Sequence, residues 1–162
     1  MRKRFGSSDW LKLIIAVLVS EFAGVIGSIF TISAIPAWYA TLAKPALNPP
    51  SWLFGPVWTT LYLLMGIAAF LVWRKGWNNK GVKAALSLFG VQLILNALWS
   101  IIFFGLHSPA WALIEIIAMW IAIVSTIAVF AKISRSAAWL LAPYILWVSF
   151  ALYLNYAIWR LN

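Results

Sequence analysis

LKLIIAVLVSEFAGVIGSIFTI, residues 11–32, is the stretch that decides the fold. At about 1.5 Å rise per residue a helix of this length crosses a hydrocarbon core of about 30 Å. It follows Arg2, Lys3 and Arg4, as the apolar region of a secretory leader would. It is too long for that role, however, and Ser33, Ala34 and Ala37 make a poor cleavage site, so it is expected to stay as a membrane helix. Four further apolar stretches of similar length follow, at about 53–73, 84–104, 110–131 and 137–159. The whole chain is 65% hydrophobic with three acidic residues among 162, more apolar surface than a soluble domain of this size can bury. Backbone groups in lipid must bond internally, which favours helices over the weaker alternating pattern of a barrel. The expectation is an all-α membrane protein, one domain over 1–162, built as a bundle of five transmembrane helices. With no cysteine in the chain, disulfides, thiolate metal sites and cysteine nucleophiles are excluded.

Charge orients the bundle. Five spans put the termini on opposite sides. Arg2, Lys3, Arg4, Lys12, Arg74, Lys75, Lys80, Lys83, Lys132 and Arg135 collect on the N-terminal side, against Lys44 and Arg160 on the other. The positive-inside rule then places the N-terminus in the cytoplasm. The net charge of +9 is accounted for by topology and by attraction to anionic lipid, so no nucleic-acid partner is expected.

Between the first two spans, a lid loop is expected over about 33–51. Its heart is WYATLAKPALNPPSWLFGPVW, residues 38–58, with three tryptophans and four prolines. Proline fixes φ and removes a donor, so the segment should hold one stiff shape over a site at the membrane surface. Following the chain direction, Trp38, Trp52, Trp58, Trp99 and Trp111 fall in the outer layer beside this loop, with Trp147 deeper. Trp10, Trp73, Trp77 and Trp159 lie near span ends as interfacial anchors, a role that competes for each of the others too. Aromatic walls with a few polar groups are what a pocket for a flat apolar ligand requires.

Polar residues within the spans add to this. Gln92, Asn96 and Trp99 share one stripe of the third span, and Trp147, Ala151 and Asn155 one stripe of the fifth. Hydrogen bonding between helices, worth ~0.6 kcal/mol on average, is the competing role for Gln92, Asn96 and Asn155. Glu21 and Glu115 are the acids within the spans, each costing about 2.5–3.5 kcal/mol if charged at a helix centre. Glu115, one turn from Trp111, is a candidate for the pocket wall or for pairing between helices. Glu21, near Gly24 and Ser28, reads as part of a packing face. The small-residue pairs Ala23/Gly27, Gly24/Ser28 and Ala118/Ala122 suit either the bundle interior or a dimer seam.

WYATLAKPALNPPSWLFGPVWTTLYLLMG (38–66), QLILNALWSIIFFG (92–105), AWALIE (110–115) and APYILWVSFALYLNYAIWR (142–160) closely resemble the translocator protein family, also called tryptophan-rich sensory proteins or peripheral-type benzodiazepine receptors. The likeness runs through all five spans in order. It implies a five-helix bundle, often a homodimer, with a pocket closed by the loop between the first two helices. The implied ligands are porphyrins such as protoporphyrin IX and haem, sterols in some members, and synthetic benzodiazepine- or isoquinoline-type compounds. By matching position, Trp52 resembles the lid-side pocket tryptophan and Trp147 the ligand-facing tryptophan of the last helix, with Ala151 one turn on. Trp99 and Trp111 resemble further wall residues and Asn96 a polar pocket residue. Leu154, Tyr156 and Arg160 resemble a sterol-contact pattern, for which a lipid-facing role is the alternative. Mitochondrial members are described with the C-terminus towards the cytosol, opposite to the charge argument. A bacterial or archaeal cell membrane is therefore expected, or the mitochondrial outer membrane for a eukaryotic source.

The leading expectation is a porphyrin-binding membrane sensor that regulates tetrapyrrole metabolism or a stress response, with porphyrin as ligand and no required cofactor. The ligand site would comprise Trp38, Trp52, Gln92, Asn96, Trp99, Trp111, Glu115, Trp147 and Ala151. No metal site is expected, since His107 is the sole histidine and lies in a loop. One alternative that the resemblance implies is a light- or oxidant-dependent porphyrin-degrading enzyme using Trp52 and Trp147; no hydrolytic triad or phosphate-binding glycine loop is visible to support other chemistry. Another is a transporter of porphyrin or sterol, although no inverted repeat or broken helix pair is present.

Overall fold

The computed structural model describes residues 6–162, so Arg2, Lys3 and Arg4 lie outside the described residues. It contains the helices α1 (Ser7–Ala34), α2 (Phe54–Trp73), α3 (Lys80–Ser100), α4 (Pro109–Ile133), α5 (Arg135–Leu140) and α6 (Ala142–Leu161), and no strand among the described residues. Five segments are long and apolar enough to cross a membrane: Ser7–Tyr39, Ser51–Trp73, Lys80–Gly105, Pro109–Ile133 and Arg135–Leu161. The chain is an all-α integral membrane protein. Its last span is α5 and α6 in series, interrupted at Leu141 just before Pro143, whose missing N–H cannot continue a helical ladder. Ser134 starts that span, its hydroxyl accepting from the Ala137 N–H at 3.4 Å.

Two of the spans end in π-helical turns, Ile35–Tyr39 after α1 and Ile101–Gly105 after α3. The first corrects the expected lid. Residues 33–41 are helical, and the irregular connection is confined to 42–50. Pro36 deletes a donor without stopping the helix, because the wider π turn carries the backbone past it. The short loop is then tied at both ends. Tyr39 donates its hydroxyl to Asn48 Oδ1 at 2.6 Å, and the Asn162 side chain accepts from Ala43 N–H and donates to Ala43 C=O, both at 3.0 Å.

Helix α1 packs on α2 and α3, while α4 packs on α3 and α6 and α5 on α2 and α4. Close approach along α1 depends on missing side chains. A Cβ on Gly66 would stand 2.6 Å from Val17 Cα, and one on Gly27 would stand 2.9 Å from Ser100 Oγ. The small-residue face of α1, including Ala23 and Gly27, is thus used inside the bundle. At one end Arg74 pairs with Asp9 at 3.6 Å, joining the start of α1 to the end of α2.

A polar chain runs through the apolar interior. Tyr62 donates its hydroxyl to Asn96 Oδ1; Asn96 Nδ2 donates to the Tyr144 hydroxyl at 2.8 Å; Tyr144 donates to Gln92 Oε1 at 2.8 Å. Gln92 Nε2 finishes against Met65 Sδ at 3.9 Å. Three helices are locked together by groups that would each cost energy if left unpaired in this setting.

Candidate functional site

The segment between Ser51 and Tyr62 turns from a short 3-10 turn into the first two turns of α2, and it delivers Trp52, Phe54, Trp58 and Tyr62 to one side of the bundle. Opposite stand Trp147, Phe150 and Ala151 from α6, with Trp99 at the end of α3. Between these elements and α1 lies a cavity of about 480 Å³. Its volume falls within the range of small-molecule and cofactor sites.

The walls are built of rings packed on rings. Trp58 stacks on Tyr62 with centroids 5.6 Å apart, and Trp99 on Phe103 at 5.1 Å. Phe54 meets Trp147 edge to face at 6.3 Å. Such contacts fix the ring planes beyond what area burial alone would do. Trp52 is different. It is 72% exposed and occupies the rim, where the loop joins α2.

Of the residues expected at the site, Trp52, Trp99, Trp147 and Ala151 line this one cavity, and so does Leu154. Five do not line it. Trp38 packs edge-on to Phe103 and stacks on His107 at 4.5 Å, facing a smaller recess beside the α3–α4 turn. His107 holds a left-handed backbone there, φ 51°. Gln92 and Asn96 lie behind the wall in the buried polar chain, so Asn96 reaches the cavity only through the Tyr62 ring it holds. Trp111 is 68% exposed on the lipid side of α4. Glu115 is buried, 8% exposed, within electrostatic reach of Tyr144, and neither carboxylate oxygen has a hydrogen-bond partner among the described residues. From the sterol-contact pattern, Tyr156 and Arg160 are exposed on α6 and away from the cavity that Leu154 lines.

Other residues of the wall went unassigned. Glu21, Gly24 and Ser28 line the cavity, where the sequence reading gave them a packing role. Their spacing of three and four residues marks one face of α1, but small residues on a face suit close packing and cavity space equally well. Gly24 serves both, since a Cβ there would come within 2.4 Å of the Tyr62 ring. Phe103 and Phe104 enter the wall through the second π turn, for which the sequence carries no local marker. Asn155, on the Trp147 stripe, also lines the cavity. It accepts from the Trp99 indole N–H at 3.0 Å and donates to the Pro109 carbonyl at 2.7 Å.

Comparison with known proteins agrees with this architecture. Residues 16–160 match the sequence model of the TspO/MBR family. The Tryptophan-rich protein TspO of Chlorobaculum tepidum is 45% identical over 152 residues, covering 94% of this chain and 96% of that protein. The protein of the same name from Archaeoglobus fulgidus is 47% identical over 153 residues, covering 94% and 97%. The Translocator protein of Homo sapiens is 39% identical over 155 residues, covering 94% and 91%.

Proposed function

The chain belongs to the TspO/MBR family, and from that premise we propose that it is a membrane-embedded binding protein that senses porphyrins and related flat apolar ligands. The observation that carries this reading is the ring-walled cavity of about 480 Å³, with Trp147 in its wall and Trp52 at its rim. A flat macrocycle gains stacking and area burial from such walls, while a few polar groups among the rings orient it. The name of a 38% identical relative from Cereibacter sphaeroides, "Tryptophan-rich sensory protein", accords with a sensing role. Ligand occupancy would be sensed through α1 and through Tyr39, Ser51 and Trp52, the cavity residues that flank the tied loop.

The charge pattern supports a cytoplasmic N-terminus. Lys12, Arg74, Lys75, Lys80, Lys83, Lys132 and Arg135 sit at the span ends opposite to Lys44 and Arg160. The end of the cavity marked by Tyr39 and Trp52 then lies towards the outside of a bacterial or archaeal cell membrane.

The test is a titration of the detergent-purified protein with protoporphyrin IX in the dark, following tryptophan quenching, and then illumination while the porphyrin spectrum is recorded. Saturable quenching with an unchanged spectrum supports the sensor. Conversion to a new pigment that depends on Trp52 and Trp147 would make the protein an enzyme instead, and absence of saturable binding would sink the porphyrin assignment.

A further inference from the structure

Glu21 is the one charged side chain among the described residues that line the cavity; no Lys, Arg or His joins it. Its polar neighbours on α1 are already committed, Ser28 donating to the Val25 carbonyl at 2.8 Å and Thr31 to the Gly27 carbonyl at 2.9 Å. Asn155 is held between Trp99 and Pro109, and Tyr62 gives its proton to Asn96. Glu21 keeps its acceptor capacity, since it has no ion-pair partner among the described residues. It lies within electrostatic reach of Tyr62, whose ring stacks on Trp58.

The opposite end of the cavity has the other sign nearby. Tyr39 lines that end, about 27 Å along the helix from Glu21 at the standard rise. Lys44 Nζ stands over the Tyr39 ring, 4.9 Å from its centroid. The cavity is thus polarised along its length, acid at one end and base beyond the other. In a low-dielectric wall a carboxylate repels a ligand's own carboxylates strongly, and together with aromatic faces it attracts a cation.

We propose that Glu21 sets the charge preference of the cavity, selecting flat or aromatic ligands that present a cationic group to the Glu21 end and turning any ligand carboxylates towards Tyr39 and Lys44. This rests on the cavity being the ligand site. A dicarboxylic porphyrin consequently binds in one orientation, with its acidic edge away from Glu21, and a lipophilic aromatic cation is a second ligand class for the same space.

Three probes separate these statements: tetraphenylphosphonium, protoporphyrin IX and its uncharged dimethyl ester. Each is titrated against the native protein, Glu21→Gln and Glu21→Asp, following tryptophan quenching. Glu21→Gln is expected to weaken the cation about tenfold and to tighten the diacid severalfold, with the ester moving less than either. Glu21→Asp, which keeps the charge, retains the native order. Movement in opposite directions cannot come from misfolding, which weakens all three together. Equal cation affinity in the native protein and Glu21→Gln overturns the proposal, as does a parallel loss of all three ligands. Porphyrin binding without any cation binding also overturns it while leaving the porphyrin sensor standing. Glu21-dependent cation binding without porphyrin binding upholds it and removes the porphyrin assignment.

Discussion

Trp99 donates its indole N–H to Asn155 Oδ1 at 3.0 Å, tying α3 to α6 across the cavity wall. The same asparagine donates to the Pro109 carbonyl at 2.7 Å, a group at the start of α4. One amide therefore positions a wall tryptophan against two other helices, and its loss is felt in the ligand site as well as in the bundle.

Asn155→Leu keeps the volume and deletes both bonds. The Trp99 N–H is then buried without a partner, a cost of about 1–3 kcal/mol in protein interiors, tempered towards ~0.6 kcal/mol where the membrane-embedded reference state finds other partners. We expect about 1 kcal/mol of destabilisation in detergent denaturation. Ligand affinity should fall further than stability alone dictates, because Trp99 is free to turn. A porphyrin titration of the still-folded variant checks this; unchanged affinity would mean that Phe103 stacking suffices to hold the ring.

Tyr144→Phe breaks the interior polar chain at its middle. The lost hydroxyl accepts from Asn96 and donates to Gln92, both at 2.8 Å, so two buried amide groups lose a partner. Tyr62→Phe removes only the terminal donor to Asn96. The expected order is a loss of about 2 kcal/mol for Tyr144→Phe and about 1 kcal/mol for Tyr62→Phe. Unfolding of the two variants under the same detergent conditions gives the comparison.

Trp147 and Trp111 offer a matched pair. Both were read from the sequence as wall residues, yet Trp147 faces the cavity and Trp111 faces outward from α4. Trp147→Ala removes a stacking surface worth about 0.5–1.5 kcal/mol beyond its area burial, so porphyrin affinity should drop about tenfold or more. Trp111→Ala should leave it within about twofold. Tryptophan quenching by protoporphyrin IX measures both.

That contrast shows where the sequence is legible. The spans were readable because lipid imposes a length and a composition that little else in a chain of this size can mimic. The cavity wall was readable where one helix presented an aromatic residue with room beside it, as at Trp147 and Ala151 on α6. It failed where the rotation of a helix about its own axis decided the matter. Gln92, Asn96 and Trp99 share a stripe on α3, yet Tyr62 and Tyr144, from other helices, take up the amides before they reach the cavity. Trp111 fits a pocket wall and a lipid belt equally well by residue type. The expected loop over about 33–51 began too early because a π turn absorbs the missing donor of Pro36 without any local signature.

Gly24 provides the sharpest steric test of the cavity. A methyl group at this position would stand 2.4 Å from Tyr62 Cε2 and 2.6 Å from Cδ2, distances that a real Cβ does not tolerate. The Tyr62 ring cannot simply slide away, since its hydroxyl is bonded to Asn96 and its face is stacked on Trp58. Gly24→Ala must therefore part α1 from α2 or push the ring into the cavity, and either change alters the space that Glu21, Trp58 and Tyr62 share. We expect a loss of about 1–3 kcal/mol in stability, the usual range for overpacking, and a fall of about tenfold in porphyrin affinity. Gly90→Ala on α3 is the comparison, because its Cβ would meet nothing within 4 Å and the helix gains propensity. If Gly24→Ala binds porphyrin as the native protein does while Gly90→Ala remains neutral, the ligand lies away from the Tyr62 end of the cavity.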